Sequence, residues 1–428
     1  MKIFEDLPEG IQAELHTSET ETSRVSFSNS ELELVSDSVH KDMTLRALGE
    51  GKISSAQSSQ PGSEDKMLQR AFSAIQYGSR ADYDFPADVD VPEMELVDDK
   101  VRSISIDKML EIADDLNSTL VEYNSRLKVR AIVGRNFTRT HLANSNGFEG
   151  EYEKTSWQVA LGGRLIDGDD MLSIYERSVA SEFSDDYEDL KQEVMDRFDK
   201  ASTIVPAESG TYPVIFAPSQ VNFLIRPLAA CLSGTMVAKG VSPWKDKLGE
   251  KLLDYRVTLI DDGTLPMQPS SVPFDREGIL TERNVLIDEG VPSSLLLDLQ
   301  SAHLLDMEPT GNGSAGGRGP SPHHLILPSG EKSLQEVIRE IDEGVIIYGS
   351  MGAWAGNPFS GSVSGTISLG FKIEKGEIAG RIKDSMFSLN AFETLSDRII
   401  EFTSNTETQG KYTFPYVALD DVVISTNG

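Results

Sequence analysis

A two-residue alternation of apolar and polar side chains recurs along most of this chain. That period belongs to half-buried strands. In RVSFSNSELELVS the apolar residues Val25, Phe27, Leu32, Leu34 and Val35 fall near every second position, so residues 17–60 read as short strands and turns. LKVRAIVG and SWQVALGGRLI repeat the pattern within 127–182, with ANSNG (143–147) as a turn between them. Helical spacing interrupts it at 66–78 and 185–201. It does so again after Ser105, a cap followed by Ile106, Met109, Leu110, Ala113, Leu116 and Leu120 on one face. Residues 79–103 form an acidic connection punctuated by proline.

The second half has a different texture. PVIFAP and RVTLIDD read as strands, and from 344 onward short strands alternate with glycine turns. PSQVNFLIRPLAACLSGTMVAKG reads as a largely buried helix, broken or started near Pro227. Ser333 and Glu336 form a capping box for one more short helix. The boundary is placed near residue 204, and no repeat of solenoid period is present. The expected fold class is α+β, with an N-terminal α/β domain over 1–203 and a large β-rich domain over 204–428.

Charge narrows the partners. The 428 residues carry a formal charge of −30, which opposes nucleic acid as the main partner and docking on an anionic membrane. A field of that sign favours basic peptides by steering. The most apolar window contains Arg226 and Pro227, which argues against a membrane span. The opening MKIFEDLPEGIQ has no apolar leader, and Cys231 is the sole cysteine, so no internal disulfide framework exists. A cytoplasmic location is the expectation.

Compact chemical motifs are scarce. None of the six histidines lies in a metal-binding spacing. His323 and His324 are adjacent, so on a strand they would face opposite ways; the plainer reading is two loop histidines beside prolines. Cys231, in an apolar helical run, reads as a buried structural thiol. GNGSAG, within the loop 309–322, spells a loose dinucleotide fingerprint without the strand and helix it needs. Its amides could cradle an anion or a peptide carboxylate, against the plainer reading of a surface loop. Asp261 with Asp262, and Asp275 with Glu277, are acidic pairs that could serve acid–base or cation chemistry; solvated turns are the plainer reading.

The order of segments says more than any one of them. LANSNGFEG, TYPVIFAP, KGVSPWKDKLGEKL, VTLIDDGTLP, SSVPFDREGILTERNVLIDEGV, PTGNG and GEIAGRIKDSMFSLN come in the order of the TldD/PmbA family, which the chain resembles over most of 20–428. The resemblance implies an α/β domain followed by a β-rich one. It also implies a zinc peptidase in the TldD type, where HExxxH on a helix supplies two histidine ligands and a glutamate that polarises metal-bound water. At that place this chain has RPLAAC: Arg226 and Cys231 stand for the histidines and Pro227 for the glutamate. A guanidinium stays protonated and proline offers no base. KDSMFSLNAF, where the peptidase type has a further cysteine ligand, contains none.

With that departure, the resemblance implies a TldE-type subunit without its own metal or catalytic residues. It would pair with a zinc-bearing TldD-like HExxxH partner, or with itself. Its ligand would be extended peptide, in proteolysis or peptide maturation. Strands 344–349 and 363–373 and loop residues Thr310, Gly311, Asn312 and Gly313, with His323 and His324, are the candidate cleft, binding peptide by β-addition. Two alternatives stay open: a stand-alone peptide-binding homodimer, and a hydrolase using Asp261, Asp262, Asp275 and Glu277.

Overall fold

A computed structural model describes residues 2–168, 170–314 and 319–426. The first sheet begins with β1 (Gln12–Ser28), β2 (Glu31–Gly49) and β3 (Lys52–Ser58). The first two are long, where the alternation predicted short strands. Asn29 and Ser30 both take positive φ, so a two-residue turn matches the strand twist and the hairpin stays paired from Ser28 back to Gln12. Then come α1 (Glu64–Ala74), β4 (Ser79–Arg80), α2 (Asp99–Ser103) and α3 (Ile106–Tyr123). Three further strands, β5 (Lys128–Asn144), β6 (Glu149–Asp167) and β7 (Asp170–Ala180), complete a seven-stranded sheet ordered β4-β3-β2-β1-β5-β6-β7. The helix α4 (Glu188–Ala201) comes next. Ser105 caps α3 as expected, its hydroxyl accepting from the Lys108 amide.

The second sheet starts at β8 (Gly210–Phe216). Next are α5 (Pro218–Cys231), α6 (Gly234–Ala238), β9 (Leu259–Asp262), β10 (Arg283–Asp288), β11 (Val291–Pro292), α7 (Leu299–Leu305), β12 (Leu325–Ile326) and α8 (Leu334–Glu340). The chain ends with β13 (Glu343–Met351), β14 (Ser362–Glu374), β15 (Glu377–Arg381), β16 (Ser385–Asn390), α9 (Ala391–Asp397), β17 (Ile399–Gln409) and β18 (Tyr412–Thr426). Five of these strands close on themselves: β8-β13-β14-β16-β18, with β18 pairing back to β8. A barrel of this kind leaves its members no free edge. The fold is α+β and strand-rich, as expected.

Two expectations need correction. Pro227 neither starts nor breaks α5, which runs through it to Cys231. Proline removes only its own bond to the carbonyl one turn earlier, and dense packing holds the turn together: Leu224, Ile225, Leu228 and Cys231 are all buried in the core beside β8 and β18. Strands β13 and β14 are barrel members with neighbours on both sides, so 344–349 and 363–373 do not offer free edges to a peptide.

One core cluster spans both sheets. Met109, Leu116 and Leu120 of α3 pack with Val129 and Val133 of β5 in the same cluster as Ile346, Phe371 and Ile373 of the barrel. Among the described residues, no helix is long and apolar enough to cross a membrane.

Candidate functional site

The helix that would carry the metal motif comes first. Positions 226 and 231 are five residues apart, about 140° around a regular helix. Arg226 accordingly faces solvent, its guanidinium donating to the Trp354 carbonyl at 2.5 Å, while Cys231 is wholly buried. Burial pushes the Cys231 thiol up to about 12, so it stays protonated. The three side chains Arg226, Pro227 and Cys231 therefore do not fit a zinc ion. No group of three or more His, Cys, Asp or Glu that could hold a metal occurs among the described residues.

The acidic pairs are not solvated turns, because the structure buries all four carboxylates. Each is occupied as an acceptor. One Asp261 oxygen takes the His323 and His324 amides at 2.8 and 2.9 Å, and the other takes the Asn312 side-chain amide at 2.7 Å. Asp262 accepts from the Thr264 amide and hydroxyl. The amides of Glu277, Ile279 and Gly313 donate to Asp275. Glu277 accepts from the Leu299 amide and from Arg46, both at 2.8 Å. Burial pushes Asp261 and Asp275 above the usual carboxylate range, the latter with help from Glu277.

These carboxylates build a frame for the loop. Thr310 donates to Asn312, and Gly313 sits against Asp275 and Glu277, where a Cβ would meet the Glu277 Cγ at 2.5 Å. Gly311 has φ +67° and abuts the Leu280 carbonyl. His323 donates from Nε2 to the Gly311 carbonyl, whereas His324 reaches Ser270 and Thr413. The structure thus gathers Thr310, Gly311, Asn312, Gly313, His323, Asp261, Asp275 and Glu277 into one network. His324 is a core residue rather than a surface-loop one, and the two histidines do not converge. Residues 315–318 of the predicted glycine loop lie outside the described residues.

This network forms one wall of a cleft of about 510 Å³ between the first sheet and the loops of the second region. The opposite wall is the row Ser18, Thr140 and Tyr152 of β1, β5 and β6. Phe274 reaches across and meets Phe148 and Tyr152 edge-on, at 5.3 and 5.2 Å. Gly150 makes room, since a Cβ there would lie 2.7 Å from the Phe274 ring. Half-buried Arg46 bridges two buried carboxylates, Glu14 of the first sheet and Glu277 of the second region. Sequence reading found Gly313, His323 and Asp275 among the lining. It missed Lys154, Arg276 and Lys411, which come from separate segments and meet only in the fold.

A seven-stranded sheet joined to a strand-rich barrel region is the two-part architecture of one family of proteins. Residues 99–198 match the PmbA/TldA metallopeptidase central domain and residues 209–426 the corresponding C-terminal domain. The chain belongs to the TldD/PmbA family. A metalloprotease of Methanothermobacter thermautotrophicus is 28% identical over 73% of this chain and 67% of its own length. An uncharacterized protein of Methanocaldococcus jannaschii is 27% identical over 76% of each chain. The crystal structure of TldE from Thermococcus kodakarensis has the same fold, with a TM-score of 0.89 at 22% identity, covering 99% of this chain and 97% of that one.

Proposed function

We propose that this chain is the non-catalytic, TldE-type subunit of a two-chain metallopeptidase, shaping the path of an extended peptide that a zinc-bearing HExxxH partner cuts. The observation that carries the reading is α5. Where the peptidase type places ligands and a base, this helix presents a solvent-facing guanidinium, a proline and a buried neutral thiol. Similarity of fold to a TldE supports it. The acidic alternative draws less support, because all four carboxylates are already committed to loop amides, side chains or Arg46.

Metal analysis and reconstitution test the reading together. The purified chain is expected to bind well under one equivalent of zinc and to leave a denatured peptide intact. Mixed with an HExxxH relative from the same genome, it should raise chelator-sensitive cleavage above that of the relative alone. Cleavage by the isolated chain, abolished by chelator, would falsify the proposal.

A further inference from the structure

Three cations converge on the cleft of a chain whose net charge is −30. Lys154 comes from β6, Arg276 from the loop after Phe274, and Lys411 from the turn between β17 and β18. None of the three has a carboxylate within 4.0 Å among the described residues. Lys154 instead donates to the Pro269 carbonyl at 3.2 Å, and Arg276 reaches the ring of His16 at 2.5 Å. In a molecule with 69 acidic side chains, holding the half-buried Lys154 and Arg276 without a paired carboxylate is costly, and Lys411 adds a third positive charge at the exposed rim. The surroundings are those of a binding pocket, with Phe274, Val272 and Pro322 as apolar wall and Ser18 and Thr140 as hydroxyl donors.

We propose that this cleft is a carboxylate subsite, in which Lys154, Arg276 and Lys411 receive a peptide carboxyl group. The inference rests on the reading of the chain as a peptide-handling subunit and gives its substrate a chemical feature. A long polyanion suits the site poorly, because the remaining surface is acidic and a phosphate backbone needs a basic track. The shared chemistry is a carboxylate, carried by the C-terminus of the peptide or by an Asp or Glu side chain.

The test uses the full chain and an N-terminally labelled ten-residue Gly/Ser/Ala peptide bearing a neutral dye, in three forms: free C-terminal acid, C-terminal amide, and amide with one internal Glu. Anisotropy is expected to show the acid binding at least tenfold more tightly than the amide. Recovery by the Glu form assigns the subsite to side-chain carboxylates as well, and no recovery assigns it to the terminus. Lys411→Glu, at an exposed turn, and Lys154→Met should each erode the acid-over-amide preference. Equal binding of acid and amide, no binding of any form, or a preference untouched by both variants would overturn the proposal, as would stronger binding of a single-stranded oligonucleotide to the same cleft. Cleavage with the HExxxH relative is read separately. Stimulated cleavage without carboxylate preference sinks the subsite and leaves the subunit role standing, whereas carboxylate preference without stimulation does the reverse.

Discussion

Lys154 shows what burial beside like charge does to one side chain. Burial, then Lys411 and Arg276, pushes it down to about 8. A lysine whose folded value lies below its unfolded one destabilises the fold while charged. The cost is therefore complete below about pH 8 and fades as pH rises toward the ordinary value of 10.5. Lys154→Met is expected to raise the urea midpoint at pH 7, with the gain shrinking by pH 9.5; equal gains at both pH values would contradict this. Cys231 makes the complementary case. Its protonated, buried thiol should resist iodoacetamide at pH 8 until denaturant is added, read by intact mass. Residue identity alone gave an arginine, a proline and a single thiol at 226, 227 and 231. It did not give the different directions in which Arg226 and Cys231 point, which result from five-residue spacing on a continuous helix.

Elements were legible wherever local chemistry decides them. The capping box at α8 stands as read: the Ser333 hydroxyl accepts from the Glu336 amide, while the Glu336 carboxylate accepts from the Ser333 amide. Ser333→Ala is expected to cost about 1 kcal/mol, measurable by urea unfolding. Strand lengths were not legible. In β2 all residues from Leu32 to Val39 but the half-buried Ser36 are exposed, so burial does not mark how far the strand extends. Its length is fixed by the Asn29-Ser30 turn and by pairing with β1. Barrel closure was hidden for a related reason. β8 and β18 are separated by almost the whole second half, and no local pattern announces that they pair. The short helix α9 escaped notice because Asn390, its cap, lies inside a run that reads as strand and turn.

For the whole molecule, the tie between the halves is ionic as well as apolar. Arg46 donates to Glu14 and Glu277, at 2.8 Å each, and both carboxylates are buried. Arg46→Met would strand two carboxylates without a cation, and such losses cost about 3–5 kcal/mol. Burial already holds Glu14 above the usual range, so the variant should lose less stability at pH 5 than at pH 8. Thermal melts at the two pH values check this, and a pH-independent loss would count against it. The carboxylate frame around the loop was equally out of reach of a linear reading, since Asp261, Asp275, Asn312 and His323 lie on four separate segments.

The Glu14–Arg46–Glu277 clamp also bears on how the chain is made. A ribosome that has released the first two hundred residues has supplied Arg46 and one acidic neighbour, but the other has yet to be synthesised. Until residue 277 emerges, the Glu14–Arg46 pair lacks its second carboxylate and Phe148 lacks its contact with Phe274. Severing the polypeptide near residue 204 would make that transient condition permanent.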